Sequence, residues 1–188
     1  MPNATVSRRQ ALLAALAAAV PIAAHARSGP PQEVAGLLPG ARLVGQGRLR
    51  WFGLTVYDAR LWSPASAGED LLLQPFGLEL EYARAFTGEK IAERSIAEMA
   101  RIGTFAPDRA RQWLDTMKRL FPDVGPGDRI TGVQRNGEEA LFFHNGAPRG
   151  ALSDGEFTRL FFGIWLSPRT SAPQLREQLL GLRAEAQR

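Results

Sequence analysis

The chain contains no cysteine, and its only histidines are His25 and His144. Without cysteine it can form no disulfide, no thiolate metal site and no cysteine nucleophile. His25 lies in an N-terminal segment that we expect to be removed, which leaves His144 alone, so a histidine cluster is excluded as well. The sequence also lacks a glycine-rich phosphate loop, a Gly-x-Ser-x-Gly elbow and a motif of paired carboxylates. We therefore expect no metal and no cofactor.

The basic residues are scattered along the chain. Lys and Arg together number 23 and Asp and Glu number 19, which gives a formal net charge of +4. Residues 1–26 hold two of the basic residues and none of the acidic ones, so the rest of the chain has a net charge of +2. A nucleic-acid binder needs a basic stripe, which is missing here. We expect no nucleic-acid partner.

The N-terminus has the pattern of an export signal. Arg8-Arg9 precedes an alanine-rich apolar run, and Ala24-His25-Ala26 is a small-x-small cleavage site. Residues 1–26 are thus predicted to be a twin-arginine signal peptide, and the protein to be periplasmic. Ala11 stands where phenylalanine is common, so general secretion stays open. The run is short and Pro21 interrupts it, so we expect no stable membrane span after processing; an uncleaved anchor is the alternative.

Residues 27–40 are rich in Pro, Gly and Ser and are predicted to be a flexible lead, followed by one domain over 41–188. Residues 45–62 are strand-like, with Gly53 at a bend between two extended pieces. The segment mixes arginine, tyrosine and aspartate with bulky apolar residues. Such a mixture of apolar walls and a few donors is typical of a cleft that binds an amphipathic molecule. A surface hairpin whose arginines lie in water is the alternative.

Periodicity predicts the remaining elements. Residues 78–82 alternate like a strand, and helices are predicted from Thr87 to Gly103 and from Pro107 onward. Two Asn-Gly pairs, at 136–137 and 145–146, predict a three-stranded meander. Capping signals at Ser153 and at residues 171–174 predict two further helices. This order predicts an α+β fold, an antiparallel sheet with one face covered by helices.

Three segments resemble the chalcone isomerase-like family, in particular its exported bacterial branch. They are residues 45–62, with Val-Tyr and Leu-Trp pairs; residues 86–99; and residues 142–181, with Asn-Gly, Gly-Glu-Phe and Ile-Trp-Leu motifs. The resemblance implies an open-faced β-sandwich, in which a large antiparallel sheet is covered on one face by a helical layer. It also implies a ligand cleft between the sheet and the helices.

The set of catalytic residues found in the plant members of the family is incomplete in this chain. In those isomerases an arginine, a threonine, a tyrosine, a lysine and an asparagine surround a developing enolate. The resemblance places Ile91, Arg94 and Glu98 at the tyrosine, lysine and asparagine, and Asp58 at or beside the threonine. Ile91 donates no hydrogen bond, and Glu98 would repel an enolate, so the electrostatic source of catalysis is lost. We therefore favour a protein without catalytic activity over an enzyme.

Non-catalytic relatives of this fold bind fatty acids with a strand arginine and a nearby tyrosine. The resemblance therefore implies that Arg48 or Arg50, together with Tyr57, binds a carboxylate, since a guanidinium matches a carboxylate with two hydrogen bonds. Arg94 is a candidate second cation, and Tyr82 a candidate ligand contact or core residue. We expect a periplasmic binding protein for a fatty-acid-like or other apolar carboxylate. An intramolecular lyase or isomerase, and a partner-binding protein with a vestigial cleft, are the alternatives.

Overall fold

The computed structural model describes residues 29–65 and 69–182, which form a six-stranded sheet with helices on both of its faces. The export signal and the predicted cleavage site lie outside these residues. In chain order the elements are α1 (Gln32–Leu37), β1 (Arg42–Trp51), β2 (Leu54–Ser63), a 3-10 helix (Glu69–Leu73), β3 (Phe76–Tyr82), α2 (Gly88–Ile102), α3 (Pro107–Leu120), β4 (Arg129–Gln134), β5 (Glu139–His144), β6 (Ala147–Ser153), α4 (Gly155–Leu166) and α5 (Pro173–Leu179). Among these helices, none combines the length and apolar composition that crossing a membrane requires.

All six strands pair antiparallel, and their order in the sheet is their order in the sequence. Tight turns connect β1 to β2 and β5 to β6, whereas α2 and α3 connect β3 to β4. Asn145 and Gly146 both have a positive φ, 51° and 86°, as a two-residue hairpin turn of the primed type requires. The predicted meander is confirmed as β4 to β6, and the predicted α+β fold is confirmed with it.

Two of the helices, α2 and α4, begin at side chains that satisfy their free N–H groups. Thr87 caps α2 by accepting a hydrogen bond from the Lys90 amide. At α4 the cap is Asp154, whose carboxylate accepts from two backbone amides, and not the predicted Ser153. The Ser153 hydroxyl instead donates to Glu139 across the β5–β6 pair. An ionised carboxylate is the stronger acceptor, which favours Asp154 in this role.

The helical layer covers one face of the sheet. The helix α4 lies at its centre, packed against α2 and against β5 and β6, and α5 lies against β1. Phenylalanine and tryptophan side chains of α4 fill the main core beneath α2 and α3. Close approach of α5 needs glycine on β1, because a Cβ at Gly45 would lie 2.2 Å from the carbonyl oxygen of Gln178.

The opposite face of the sheet is polar and carries α1, so residues 32–37 of the segment predicted to be a flexible lead form a packed helix. Val34 of α1 is fully buried in a small cluster with Trp62 and Val133. Glu33 is also buried and accepts a hydrogen bond of 2.8 Å from Thr131. The local composition favoured a loop, but the burial of apolar side chains stabilises the helix in place.

Candidate functional site

A cleft of about 430 Å³ opens between the sheet and the helical layer. Its floor is formed by β1, β2 and β3, and its walls by α2 and α4. The lining is mainly apolar, and its buried end is closed by side chains that include Leu80, Phe121, Ile130 and Phe161. A volume of this size and an apolar lining are typical of sites for small organic ligands.

A hydrogen bond fixes the orientation of Tyr57 in the cleft. The indole Nε1 of Trp165 donates to the Tyr57 hydroxyl oxygen at 2.9 Å, across the space between α4 and β2. Because the oxygen accepts this bond, the hydroxyl proton is directed elsewhere and can be donated to a ligand. Burial raises the pKa of Tyr57 far above its ordinary value, with a further rise from the charge of Glu98. Tyr57 is therefore a hydrogen-bond donor and a poor acid.

Tyr82 packs beside Tyr57, with the two ring centroids 5.8 Å apart in an edge-to-face arrangement. Both rings line the cleft and both are buried. Burial raises the pKa of Tyr82 as well, and the neighbouring Tyr57 raises it further. The pair thus remains neutral over the physiological pH range.

Arg94 is one of the cations that line the cleft. Its Nη2 lies 2.5 Å from Glu98 Oε1, one turn further along α2, and its guanidinium lies 5.5 Å from the ring centre of Trp51. Glu98 is 8% exposed, and its Oε2 is buried without a hydrogen bond from any described residue. The Nε of Arg101 lies 3.8 Å from that oxygen. A guanidinium has five N–H donors, so the contact with Glu98 leaves donors for a ligand.

Two more cations line the mouth of the cleft. Arg84 follows β3, where the Ala83 amide donates to the carbonyl of Val56, and Lys90 lies in the first turn of α2. Both side chains are exposed. The lining thus contains three cations and one carboxylate, Glu98, which gives the mouth a positive balance.

The structure corrects the placement of Arg48 and Arg50. Both are exposed on the polar face of the sheet, on the side away from the cleft. Arg48 pairs there with Asp58 at 2.6 Å, since the two residues are directly opposite each other on β1 and β2. The cleft instead receives Leu49 and Trp51. Neither arginine lines the cleft that holds Tyr57.

Of the five predicted site residues, the structure brings together Tyr57, Tyr82 and Arg94. Most of the lining was not among the predicted contacts, and the unpredicted residues include Trp51, Arg84, Lys90 and Trp165. Alternation along β1 could have indicated Trp51, because it lies on the same side as Leu49. The contact of Trp165 with Tyr57 had no local signal in the sequence, since it joins residues 108 positions apart.

The chemistry available in the cleft is hydrogen bonding and charge. Tyr57 and Arg94 can donate to a ligand oxygen, and aromatic and aliphatic side chains can cover an apolar body. Within residues 29–65 and 69–182, no group of three or more His, Asp or Glu side chains is placed to hold a metal ion.

This combination of an open antiparallel sheet, a helical layer and an apolar cleft between them defines a class of β-sandwich proteins. The sequence profile of the chalcone isomerase-like family matches residues 42–181, and the chain belongs to that family. An uncharacterized protein of Haemophilus influenzae is 27% identical over 138 residues, which are 73% of this chain and 67% of that protein. The crystal structure of a fatty-acid binding protein from Arabidopsis thaliana superposes with a TM-score of 0.62 at 13% identity, over 84% of this chain and 92% of that chain.

Proposed function

We propose that the protein binds a fatty-acid-like amphiphile, or another apolar carboxylate, in the cleft. The observation that carries the proposal is the cleft itself, which is open, apolar at its buried end and bordered by cations at its mouth. Buried apolar side chains would cover the tail, at about 25 cal/mol for each Å² removed from water. The fatty-acid binding protein from Arabidopsis thaliana that shares the fold supports this choice of ligand class.

In this proposal Arg94 holds the carboxylate, in place of the strand arginines that the family resemblance implied. Its guanidinium is held by Trp51 and Glu98, and Tyr57 adds a donor from the floor of the cleft. Glu98 weakens this contact, because its charge repels a ligand carboxylate. The site therefore combines one attractive cation with a nearby repulsive anion, and the rim residues Arg84 and Lys90 add attraction at longer range.

The test compares ligands and variants. The delipidated protein is titrated calorimetrically with dodecanoate and with dodecan-1-ol, in wild type, Arg94→Ala and Arg48→Ala. Arg48→Ala is the matched control, because Arg48 also pairs with a carboxylate but lies on the opposite face. We expect Arg94→Ala to weaken dodecanoate binding about tenfold, the value of one charge-assisted hydrogen bond, and to leave dodecanol unchanged. Wild type that binds neither ligand would overturn the proposal.

A catalytic role is the second candidate, favoured by the placement of the Tyr57 hydroxyl and Arg94 in one cleft. In this reading Arg94 would stabilise an oxyanion and Tyr57 would act as an acid. The raised pKa of Tyr57 and the half-buried, apolar Ile91 oppose it. Loss of chalcone absorbance on incubation with the protein, abolished in Tyr57→Phe, would favour catalysis over binding alone.

The third reading, a vestigial cleft, requires a cavity filled by Trp51, Phe52 and Trp165. Trp51 and Phe52 are instead exposed, with only Trp51 at the mouth of the cleft, and of the three only Trp165 is buried in its wall. The open volume supports a ligand site and not a filled remnant.

We propose that the protein works in the periplasm, after twin-arginine export and cleavage behind Ala26. The proposal rests on Arg8-Arg9, the apolar run and the cleavage pattern in the sequence. Cell fractionation of wild type and an Arg8→Lys, Arg9→Lys variant tests it. We expect the wild type in the periplasm and the variant retained in the cytoplasm; export of both would assign the general secretory route.

A further inference from the structure

The hairpin between β1 and β2 ends in an exposed apolar tip, defined here as residues 51–54. Phe52 is 87% exposed, Trp51 57% and Leu54 54%. Single exposed apolar residues are ordinary on protein surfaces, but three within four consecutive positions form a patch. The tip borders the cleft, since the Trp51 side chain also lines its mouth.

The backbone of the tip is strained at Phe52. Phe52 has φ 47° and Gly53 has φ 77°, the two left-handed positions of a primed hairpin turn. Asn-Gly is the favoured pair for such a turn, and a bulky residue at the first position costs conformational energy. Phe52 contacts the ring of Trp51 edge to face, with centroids 5.2 Å apart, but it stays 87% exposed and so gains little burial within the described chain in return. A contact outside the chain would account for a phenylalanine at this position.

Basic side chains surround the tip. Arg50 precedes it, Arg94 lies over Trp51, and Arg84 is held close by the bond between the Ala83 amide and the Val56 carbonyl. Neither Arg50 nor Arg84 forms an ion pair within the part of the chain that the structure describes. An aromatic tip with a basic border has the composition of segments that bind at the surface of anionic membranes.

We propose that the tip docks on an anionic lipid bilayer, with the rings of Trp51 and Phe52 at the headgroup level. The mouth of the cleft then faces the bilayer, so an apolar ligand can pass between the membrane and the cleft with little exposure to water. The transfer step rests on the proposed function; the docking does not. Two features favour a bilayer over a protein partner: the cations at the tip match anionic headgroups, and the adjoining cleft is suited to a membrane-soluble ligand.

Vesicle binding of wild type and Phe52→Asn tests the docking. Asn-Gly suits the turn better than Phe-Gly, so this variant should fold with a higher urea midpoint while losing the apolar contact. Phe52 does not line the cleft, so dodecanoate binding in vesicle-free solution should be unchanged. The matched control is Leu73→Asn, which removes a 79% exposed leucine beyond the opposite end of β2. All proteins carry identical N-termini, so any contribution of residues 1–28 cancels.

Wild type should bind vesicles of phosphatidylcholine with phosphatidylglycerol at least about tenfold more tightly than vesicles of phosphatidylcholine alone. Phe52→Asn should lose at least about tenfold in affinity for the anionic vesicles, and Leu73→Asn should not. Binding should also shift tryptophan emission to shorter wavelength. That shift reports Trp51, because the other three tryptophans, Trp62, Trp113 and Trp165, are already buried.

The proposal is wrong if wild type binds neither vesicle, binds both equally, or binds as tightly after Phe52→Asn. A wild-type dimer that Phe52→Asn makes monomeric, without vesicle binding, would assign the tip to a second copy and also overturn it. Vesicle binding without dodecanoate binding would leave the docking standing and remove the proposed function. Dodecanoate binding without vesicle binding would leave the proposed function standing and remove the docking.

Discussion

The hydrogen bond between Trp165 and Tyr57 is predicted to stabilise the fold as well as orient the cleft. Tyr57→Phe keeps the ring and removes the oxygen that accepts from the indole Nε1 at 2.9 Å. Trp165 is 7% exposed, so its N–H would be left almost entirely without a partner. An unsatisfied buried donor costs about 1–3 kcal/mol, and the loss of a desolvated hydroxyl offsets part of that cost. We expect the free energy of unfolding to fall by about 1–2 kcal/mol.

Urea denaturation followed by circular dichroism measures this change without relying on the fluorescence of Trp165 itself. Tyr82→Phe is the matched control, because Tyr82 is also a buried tyrosine of the same cleft. The indole of Trp165 donates its hydrogen bond to Tyr57 and not to Tyr82. A double-mutant cycle with Trp165→Phe isolates the pair, for which we expect a coupling of about 1 kcal/mol. Tyr57→Phe with wild-type stability and an unchanged urea dependence, or a coupling of zero, would refute the reasoning.

Three further predictions concern ionisation, specificity and packing. Burial raises the pKa of Tyr57 and Tyr82, so the folded state favours the two neutral hydroxyls. Their contribution to the free energy of unfolding is complete below pH ~10 and is lost as the pH rises toward their folded pKa values, by up to about 1.4 kcal/mol per pH unit for each tyrosine. Tyrosinate absorbance that appears before unfolding would contradict this. Glu98→Gln removes the repulsion in the cleft and should tighten dodecanoate severalfold with dodecanol unchanged; equal effects on both ligands in calorimetry would refute the assigned role. Gly45→Ala places a Cβ against the Gln178 carbonyl and should cost about 1–3 kcal/mol in urea unfolding; wild-type stability would show that α5 packs differently.

Local signals in the sequence predicted most of the architecture. The Asn-Gly pairs defined β4 to β6, and the spacing of apolar residues after Thr87 defined α2, because turn chemistry and helical periodicity act over a few residues. The helix α1 was missed for the opposite reason. Its stability comes from burial of Val34 against Trp62 and Val133, residues distant in the sequence, and its own composition favours a loop.

The candidate site was predicted only in part, since a strand pattern separates two faces without saying which is buried. Alternation separated Arg48 and Arg50 from Leu49 and Trp51, but the resemblance to fatty-acid binding relatives favoured the arginine side. The pairing register of β1 with β2 shows which of the two sides of β1 faces the cleft. Arg48 lies opposite Asp58 while Leu49 lies opposite Tyr57, so a tyrosine in the cleft requires the arginine outside it. The resemblance singled out Arg94 and Glu98 of α2, and both line the cleft.

The central claim is that an apolar chain occupies the cleft with its carboxylate at Arg94, and a crystal of the complex with an omega-brominated dodecanoate tests it most directly. The anomalous signal of bromine locates the end of the tail. The account predicts a peak at the buried end of the cleft, beside Phe121, Ile130 and Phe161. A peak on the polar face beside Arg48 and Arg50, or a cleft without bound ligand at saturating concentration, would contradict it.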